Sequence, residues 1–273
     1  MLNRLDRLWR SFGIGLFLVL IGVGGSLMAV TIFPLLALVI RAREPRRQVF
    51  QWVLHHSFRL YAAGIHWLRI ADIRFEGAER LRNLRGTLII ANHPSILDVV
   101  LIMAAVPSVQ CVVKAGLWRN PFFHLTMRSA GYIRNDLEPE AFMAACVGAL
   151  KAGQNLIIFP EGTRTVPGQP MQMRRGFANI ATLAEADVQL VTMRCEPPIL
   201  FKGDRWWNAP RKRSEFSMTV GEVLDIDEFL RDRPRPLSAR KLVAFVEDYY
   251  SEKLRNGRAA TGNQDIDRVL AES

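Results

Sequence analysis

Cysteine is scarce in this sequence, limited to Cys111, Cys146 and Cys195, each widely separated and in apolar surroundings. No even-numbered disulfide framework and no Cys-x-x-Cys metal pair can be drawn from them. The expectation is a reducing compartment and three small core residues. Acidic residues are short as well, 26 Asp and Glu against 36 Lys and Arg, which leaves a formal net charge of +10. Such an imbalance asks for an acidic partner, either nucleic acid or an anionic membrane surface. Also lacking are internal repeats, a long low-complexity linker and a Gly-x-Ser-x-Gly nucleophile elbow, and the last absence argues against a serine hydrolase of that type.

Charge itself is missing from Phe12 to Ile40, 29 residues without Asp, Glu, Lys or Arg. About 20 apolar residues already cross a bilayer as helix, so a membrane segment is expected and nucleic acid is not the partner. A cleavable signal peptide would have a core of about 7 to 15 residues, which favours a retained anchor. As one helix the stretch reaches about 44 Å against a hydrocarbon core near 30 Å, so it must tilt or break. Gly22, Gly24, Gly25 and Pro34 offer break points, and a single tilted span and a re-entrant helical hairpin both stay open. Arg4, Arg7 and Arg10 precede it, and Arg41, Arg43, Arg46 and Arg47 follow. The heavier second flank puts the remainder on the cytoplasmic side of the inner membrane. Residues 49–70 interleave Phe50, Trp52, Phe58, Tyr61 and Trp67 with Arg59 and Arg69. That mixture fits a helix at the membrane interface or one packed on the domain. No carboxylate or cysteine lies at ligand spacing from His55, His56 and His66, so no metal is expected.

Beyond the anchor, β-rich runs at Ile73–Phe75, Thr87–Ala91, Val109–Val113, Asn155–Phe159, Val188–Arg194 and Phe216–Val220 alternate with helical stretches. This order predicts an α/β fold, a single mixed sheet covered by helices, with an amino-terminal membrane-anchoring helix or helical hairpin. The clearest helix is Pro139–Ala152, with Phe142, Met143, Cys146, Val147 and Leu150 at helical spacing and Gly153 after its end. A second runs over Ser238–Leu254, with Leu242, Phe245, Val246 and Tyr249 on one stripe. The organisation is an anchor and interfacial helix over 1–72, one domain over 73–256 and a polar tail over 257–273.

Two short segments carry candidate chemistry. In "ANHPSILDVV" a strand runs into Asn92, His93 and Pro94, a proline suited to the first position of a helix, with Asp98 five residues after the histidine. On a continuous helix residues five apart point about 140° from each other, so a His93–Asp98 contact needs the histidine outside the first turn. Given that contact, the carboxylate would fix one ring nitrogen as donor and leave the other to accept a proton. Without it, the pair is a polar turn and a stray acid. Asn92 would support the turn or the ring. In "NLIIFPEGTRT" another strand runs into Glu161, Gly162, Thr163 and Arg164, at the carboxyl end where open α/β sheets bind ligands. There an Arg fork with backbone N–H groups would hold a phosphate.

Together, Asn92-His93 with Asp98 and then Phe159-Pro160-Glu161-Gly162-Thr163-Arg164 resemble the glycerophospholipid and lysophospholipid acyltransferases, of which 1-acylglycerol-3-phosphate acyltransferase is the best-known type. The resemblance extends over roughly residues 73 to 200. It takes in the block 112–133 with Lys114, Pro121 and Gly131, and the segment Met173-Arg174-Arg175-Gly176-Phe177. It implies that residues 73–256 are an acyltransferase domain. The implied reaction moves a fatty acyl group from the thioester of coenzyme A or acyl carrier protein to a lysophospholipid hydroxyl. His93 would be the general base and Asp98 its orienter. Asn92, Lys114, Glu161, Gly162, Thr163 and Arg164 would lie on the substrates, with no metal and no cofactor. The sequence departs from the family pattern at His124, and Arg134 falls early after Gly131. An acyltransferase of a specialised lipid pathway and a non-catalytic membrane-binding relative are the alternatives. Membrane lipids are the expected partners, and Lys202, Arg205, Trp206, Trp207, Arg211, Lys212 and Arg213 form one further basic and aromatic patch that suits them.

Overall fold

The computed structural model describes residues 2–166, 171–231 and 234–256. The tail read at 257–273 lies outside the described residues. Helices α1 (Leu2–Val30), α2 (Ile32–Val39) and α3 (Arg43–Trp67) come first, followed by β1 (Asp72–Glu76). A 3-10 turn at Ala78–Leu81 leads to β2 (Leu88–Ala91), α4 (Asp98–Ala105), β3 (Gln110–Val113), α5 (Ala115–Arg119), α6 (Pro121–Ala130) and β4 (Ile133–Arg134). The remainder is α7 (Pro139–Lys151), β5 (Leu156–Ile158), α8 (Gly176–Ala184), β6 (Val188–Glu196), β7 (Glu215–Leu224), α9 (Asp227–Leu230) and α10 (Arg235–Asn256).

Among the described residues seven strands make one sheet in the order β1-β7-β6-β2-β5-β3-β4. Strand β7 runs antiparallel to β6 and every other neighbouring pair is parallel, so the sheet is mixed. The central strand β2 is buried on both faces, which is why Leu88, Ile89, Ile90 and Ala91 are apolar without a break. Successive side chains still point to opposite sides. Ile89 and Ala91 join a core with α1 to α4, while Leu88 and Ile90 join a second core with α7, α8 and α10. Cys111 and Cys195 lie in the first core and Cys146 in the second, and burial pushes all three thiols up to about 12.

The amino-terminal helices pack against the first core instead of standing apart from the domain. Helix α1 runs unbroken through Gly22, Gly24 and Gly25, which had been candidate breaks. These glycines admit α6: Thr126 donates its hydroxyl to the Gly25 carbonyl at 2.8 Å, and Phe123 passes 3.8 Å from where a Cβ on Gly22 would sit. The helix does break at Thr31, three residues before Pro34, whose nitrogen cannot donate back into the preceding turn. Helix α3 then returns antiparallel. The Trp9 indole donates to the Leu68 carbonyl at 2.9 Å at one end, and Phe33 stacks on Phe50 with centroids 4.3 Å apart at the other. Of the two readings left open for residues 49–70, packing on the domain describes most of α3. Phe50, Leu54, Ala62 and Ile65 are buried, Gln51 donates to the Ala130 carbonyl, and His55 meets the Met103 carbonyl at 2.8 Å. Trp52, Leu60 and Trp67 stay exposed.

Candidate active site

The parallel strands β6, β2, β5 and β3 end on one edge of the sheet, and the candidate residues gather there. After β2 the chain loops through residues 92–97 and enters α4 at Asp98. Pro94 therefore lies in the loop and not at the first helical position, and Asp98 opens the helix. The residue ahead of a proline is kept out of helical geometry, which holds His93 in the extended approach. From there its Nδ1 lies 2.9 Å from Asp98 Oδ2, and the Ser95 N–H donates to the same oxygen at 2.7 Å.

Asp98 is fully buried, whereas the His93 side chain keeps 16% of its surface exposed. Burial pushes the Asp98 carboxyl above the usual carboxylate range, and the His93 hydrogen bond pulls it back. With the carboxylate accepting at Nδ1, that nitrogen carries the proton and Nε2 is the free acceptor. The Phe159 ring stacks on the imidazole with centroids 4.1 Å apart and 25° between planes, closing one face of it.

The segment after β5 is knitted to His93 by its backbone. Glu161 Oε1 accepts the His93 N–H at 2.9 Å, and Oε2 accepts the Thr165 hydroxyl at 2.7 Å. The Thr165 N–H in turn donates to the His93 carbonyl at 2.7 Å. Both Glu161 oxygens are thereby engaged within the protein. Gly162 turns the chain at φ +67°, and a Cβ there would come within 3.0 Å of the Arg174 guanidinium. Arg164 donates from one terminal nitrogen to the carbonyls of Leu200 and Phe201, at 2.7 and 3.0 Å. Thr163, Arg164, Arg174 and Lys202 line a cleft of about 360 Å³ together with Glu161. Three cations around so small a volume suit an anionic ligand.

Other candidates are placed elsewhere. Asn92 is buried, and its amide exchanges two hydrogen bonds with the Met193 backbone at 2.8 and 2.7 Å. It extends the β2–β6 pairing by one side chain. Lys114 is exposed at the end of β3, on the same sheet edge with β5 between it and β2. Arg134 spends its fork on Asp136 at 2.9 and 2.7 Å, with its guanidinium over the Trp118 ring.

Sequence reasoning missed several supports. Thr165 stood inside the quoted motif, so its neighbours could have drawn attention to it. The Leu200 carbonyl accepts from both Arg164 and the Ile96 N–H, and no local pattern marks that residue. Tyr250 is buried, and its hydroxyl reaches the carbonyls of Ile90 and Val191 at 2.8 and 2.9 Å, bracing β2 against β6 just before His93. The apolar stripe of α10 runs through Leu242, Val243, Val246 and Tyr250 with Tyr249 packed at its margin, and of the residues expected on it Phe245 falls outside. Phe245 is exposed, because the ridge that meets α8 follows i, i+4 steps from Leu242.

Comparison with known proteins agrees with this layout. Residues 72–196 match the acyltransferase family model. Over that span the chain is similar to an acyltransferase domain. More particularly, the relatives it resembles are 1-acyl-sn-glycerol-3-phosphate acyltransferases. The chain is 33% identical to the 1-acyl-sn-glycerol-3-phosphate acyltransferase of Cocos nucifera over 42% of its length and 39% of that protein's. It is 32% identical to the Helicobacter pylori enzyme of the same name over 37% of its length and 46% of that protein's. A chloroplastic counterpart from Arabidopsis thaliana is 25% identical over 55% of this chain and 42% of its own. The chain spans less than half the length of these relatives. The crystal structure of the 1-acyl-sn-glycerophosphate acyltransferase PlsC from Thermotoga maritima superposes with a TM-score of 0.72 at 18% identity, covering 96% of this chain and 100% of that one, and shows a shared fold.

Proposed function

We propose that this protein is a membrane-bound O-acyltransferase that moves a fatty acyl group from acyl-coenzyme A or acyl carrier protein to the hydroxyl of a lysophospholipid such as 1-acylglycerol-3-phosphate. The observation that carries it is the His93–Asp98 pair, tied through Glu161 and Thr165 to a cleft lined by Arg164, Arg174 and Lys202. His93 takes the proton of the acceptor hydroxyl as that oxygen attacks the thioester carbonyl carbon. The tetrahedral intermediate then breaks its C–S bond, and the imidazolium returns the proton to the departing thiolate sulfur. Asp98 stabilises the imidazolium between the two transfers. Arg164, with one nitrogen fixed by two carbonyls, turns the rest of its fork to the acceptor's phosphate.

Membrane attachment is part of this reading. Helix α1 carries an exposed apolar stripe at Leu8, Phe12, Leu16, Val19, Val23 and Leu27, opposite the side that packs on the domain. Polar contacts hold it alongside the domain at both ends, from Arg10 on the carbonyls of Arg211 and Lys212 to Ser26 on the carbonyl of Phe122. These anchor points lie about 24 Å apart along the helix. A helix clipped over that length cannot cross the hydrocarbon without drawing the sheet in after it. It lies in the plane of one leaflet, on the cytoplasmic face of the inner membrane. The test is transfer of labelled acyl groups by detergent-purified protein to a panel of lysolipids, with both donors. Loss of about 10²-fold or more in His93→Ala is expected, and comparable rates would remove the base assignment. Transfer only to acceptors without glycerophosphate would favour a specialised lipid pathway.

A further inference from the structure

Three segments far apart in sequence meet around the amino-terminal turns of α1. Arg7 donates to the Ala209 carbonyl at 2.6 Å and to Asn208 at 3.1 Å, Arg10 to the carbonyls of Lys212 and Arg211, and Ser11 to the Trp207 carbonyl at 2.9 Å. Trp9 reaches Leu68 just past the end of α3. Trp206 lies so close over Gly15 that a Cβ there would be 2.4 Å from its ring. Residues 206–212 are thus a strapped segment and not a loose basic loop. Its hydrogen bonds to α1 use main-chain carbonyls or Asn208, so the Trp207 indole and the side chains of Arg211 and Lys212 remain exposed.

What faces outward is one collar. Trp9, Trp67, Trp206 and Trp207 are each about half exposed or more. Arg4, Arg69, Arg205, Arg211 and Lys212 are exposed among them. The nearby acids are spent internally: Asp6 on Arg10, Asp72 on Arg213, and Asp204 on the backbone N–H groups of Leu200 and Arg205. The Arg205 guanidinium sits over the Trp207 ring at 5.8 Å. Tryptophan favours the headgroup layer and cations favour an anionic surface, and the collar continues the exposed stripe of α1 directly.

We propose that this collar is a docking surface for the anionic headgroups of a phospholipid leaflet, distinct from the apolar contact of α1. It rests on the membrane reading above and adds to it a dependence on lipid charge. Vesicle sedimentation of the full chain tests it, with phosphatidylcholine alone and with phosphatidylglycerol included. The triple variant Arg205→Gln, Arg211→Gln, Lys212→Gln is expected to lose about 10²-fold in affinity for the anionic vesicles and to keep wild-type affinity for the neutral ones. The difference between vesicle types should shrink in high salt. Because Trp206 also packs on α1, Trp207→Ala is the cleaner aromatic variant, and it should weaken binding to both vesicle types severalfold. Equal binding of wild type and triple variant to anionic vesicles would overturn the proposal. So would intact vesicle binding with selective loss of transfer from acyl carrier protein, which would make the collar a protein site. Wild type that sediments with neither vesicle would refute membrane attachment itself, a separate outcome.

Discussion

Glu161 grips His93 by its main chain, with Oε1 2.9 Å from the histidine nitrogen while Oε2 holds Thr165. The ring is thus aimed from two directions, by a carboxylate on its Nδ1 and by another on its backbone. Glutamine at 161 can still accept from the His93 N–H, whereas alanine leaves that donor and the Thr165 hydroxyl without their partner. Glu161→Ala is expected to lose about 10²-fold in kcat from a displaced base, and Glu161→Gln to stay within about 10-fold of wild type. Equal losses in steady-state rates would mean that the charge, not the grip, is what matters.

Asp98 sets activity against stability. Its folded pKa is raised by burial, so the folded protein holds that proton more tightly than the unfolded chain does. Stability from this group is present at low pH and is lost as pH rises from the ordinary carboxylate value through the raised one. Asp98→Asn should therefore cut kcat by about 10²-fold or more while the melting temperature at neutral pH holds or rises. A large drop in melting temperature would show that the fold depends on the charge.

Arg164 divides its guanidinium between the carbonyls of Leu200 and Phe201 and the cleft. Lysine cannot reproduce that fork. Arg164→Lys and Arg164→Ala should raise the KM for a phosphate-bearing acceptor by about 10-fold or more, in line with the loss of one charge-assisted contact. The KM for the thioester should not move. An unchanged acceptor KM would take Arg164 off the phosphate.

His55 supplies an acid-sensitive point away from the site. Burial lowers its pKa from 6.5 to about 4, against the opposing hydrogen bond to Met103. The unfolded chain takes up this proton first, so stability falls as pH drops from about 6.5 towards 4. Melting curves across that range should be flatter for His55→Gln than for wild type. Identical slopes would show that some other group governs acid unfolding.

Local pattern carried much of this architecture. β2 and β5 are continuous apolar runs because both faces of the sheet are covered, and the helix at Pro139 has both its start and stop residues in the sequence. β4 escaped because a two-residue strand has no period to detect. The His93–Asp98 contact was readable as a condition on where the helix starts. The partners of Arg164 were not, since Leu200 and Phe201 lie 36 and 37 residues further on and offer only backbone oxygen. The amino-terminal segment was legible as apolar, but its lying along the domain depends on side chains such as Arg10 and Ser26 finding carbonyls about 200 and 96 residues away.

Tyr250 sits 54 residues past the last position of the matched acyltransferase region, yet it ties β2, which leads into the His93 loop, to β6. A fragment trimmed to that region would strip the cover from Ile90 and Val191 and leave their oxygens to bulk solvent. The smallest portable version of this domain therefore has to run through α10, and swapping the matched segment alone into another scaffold would transplant the motifs without their brace.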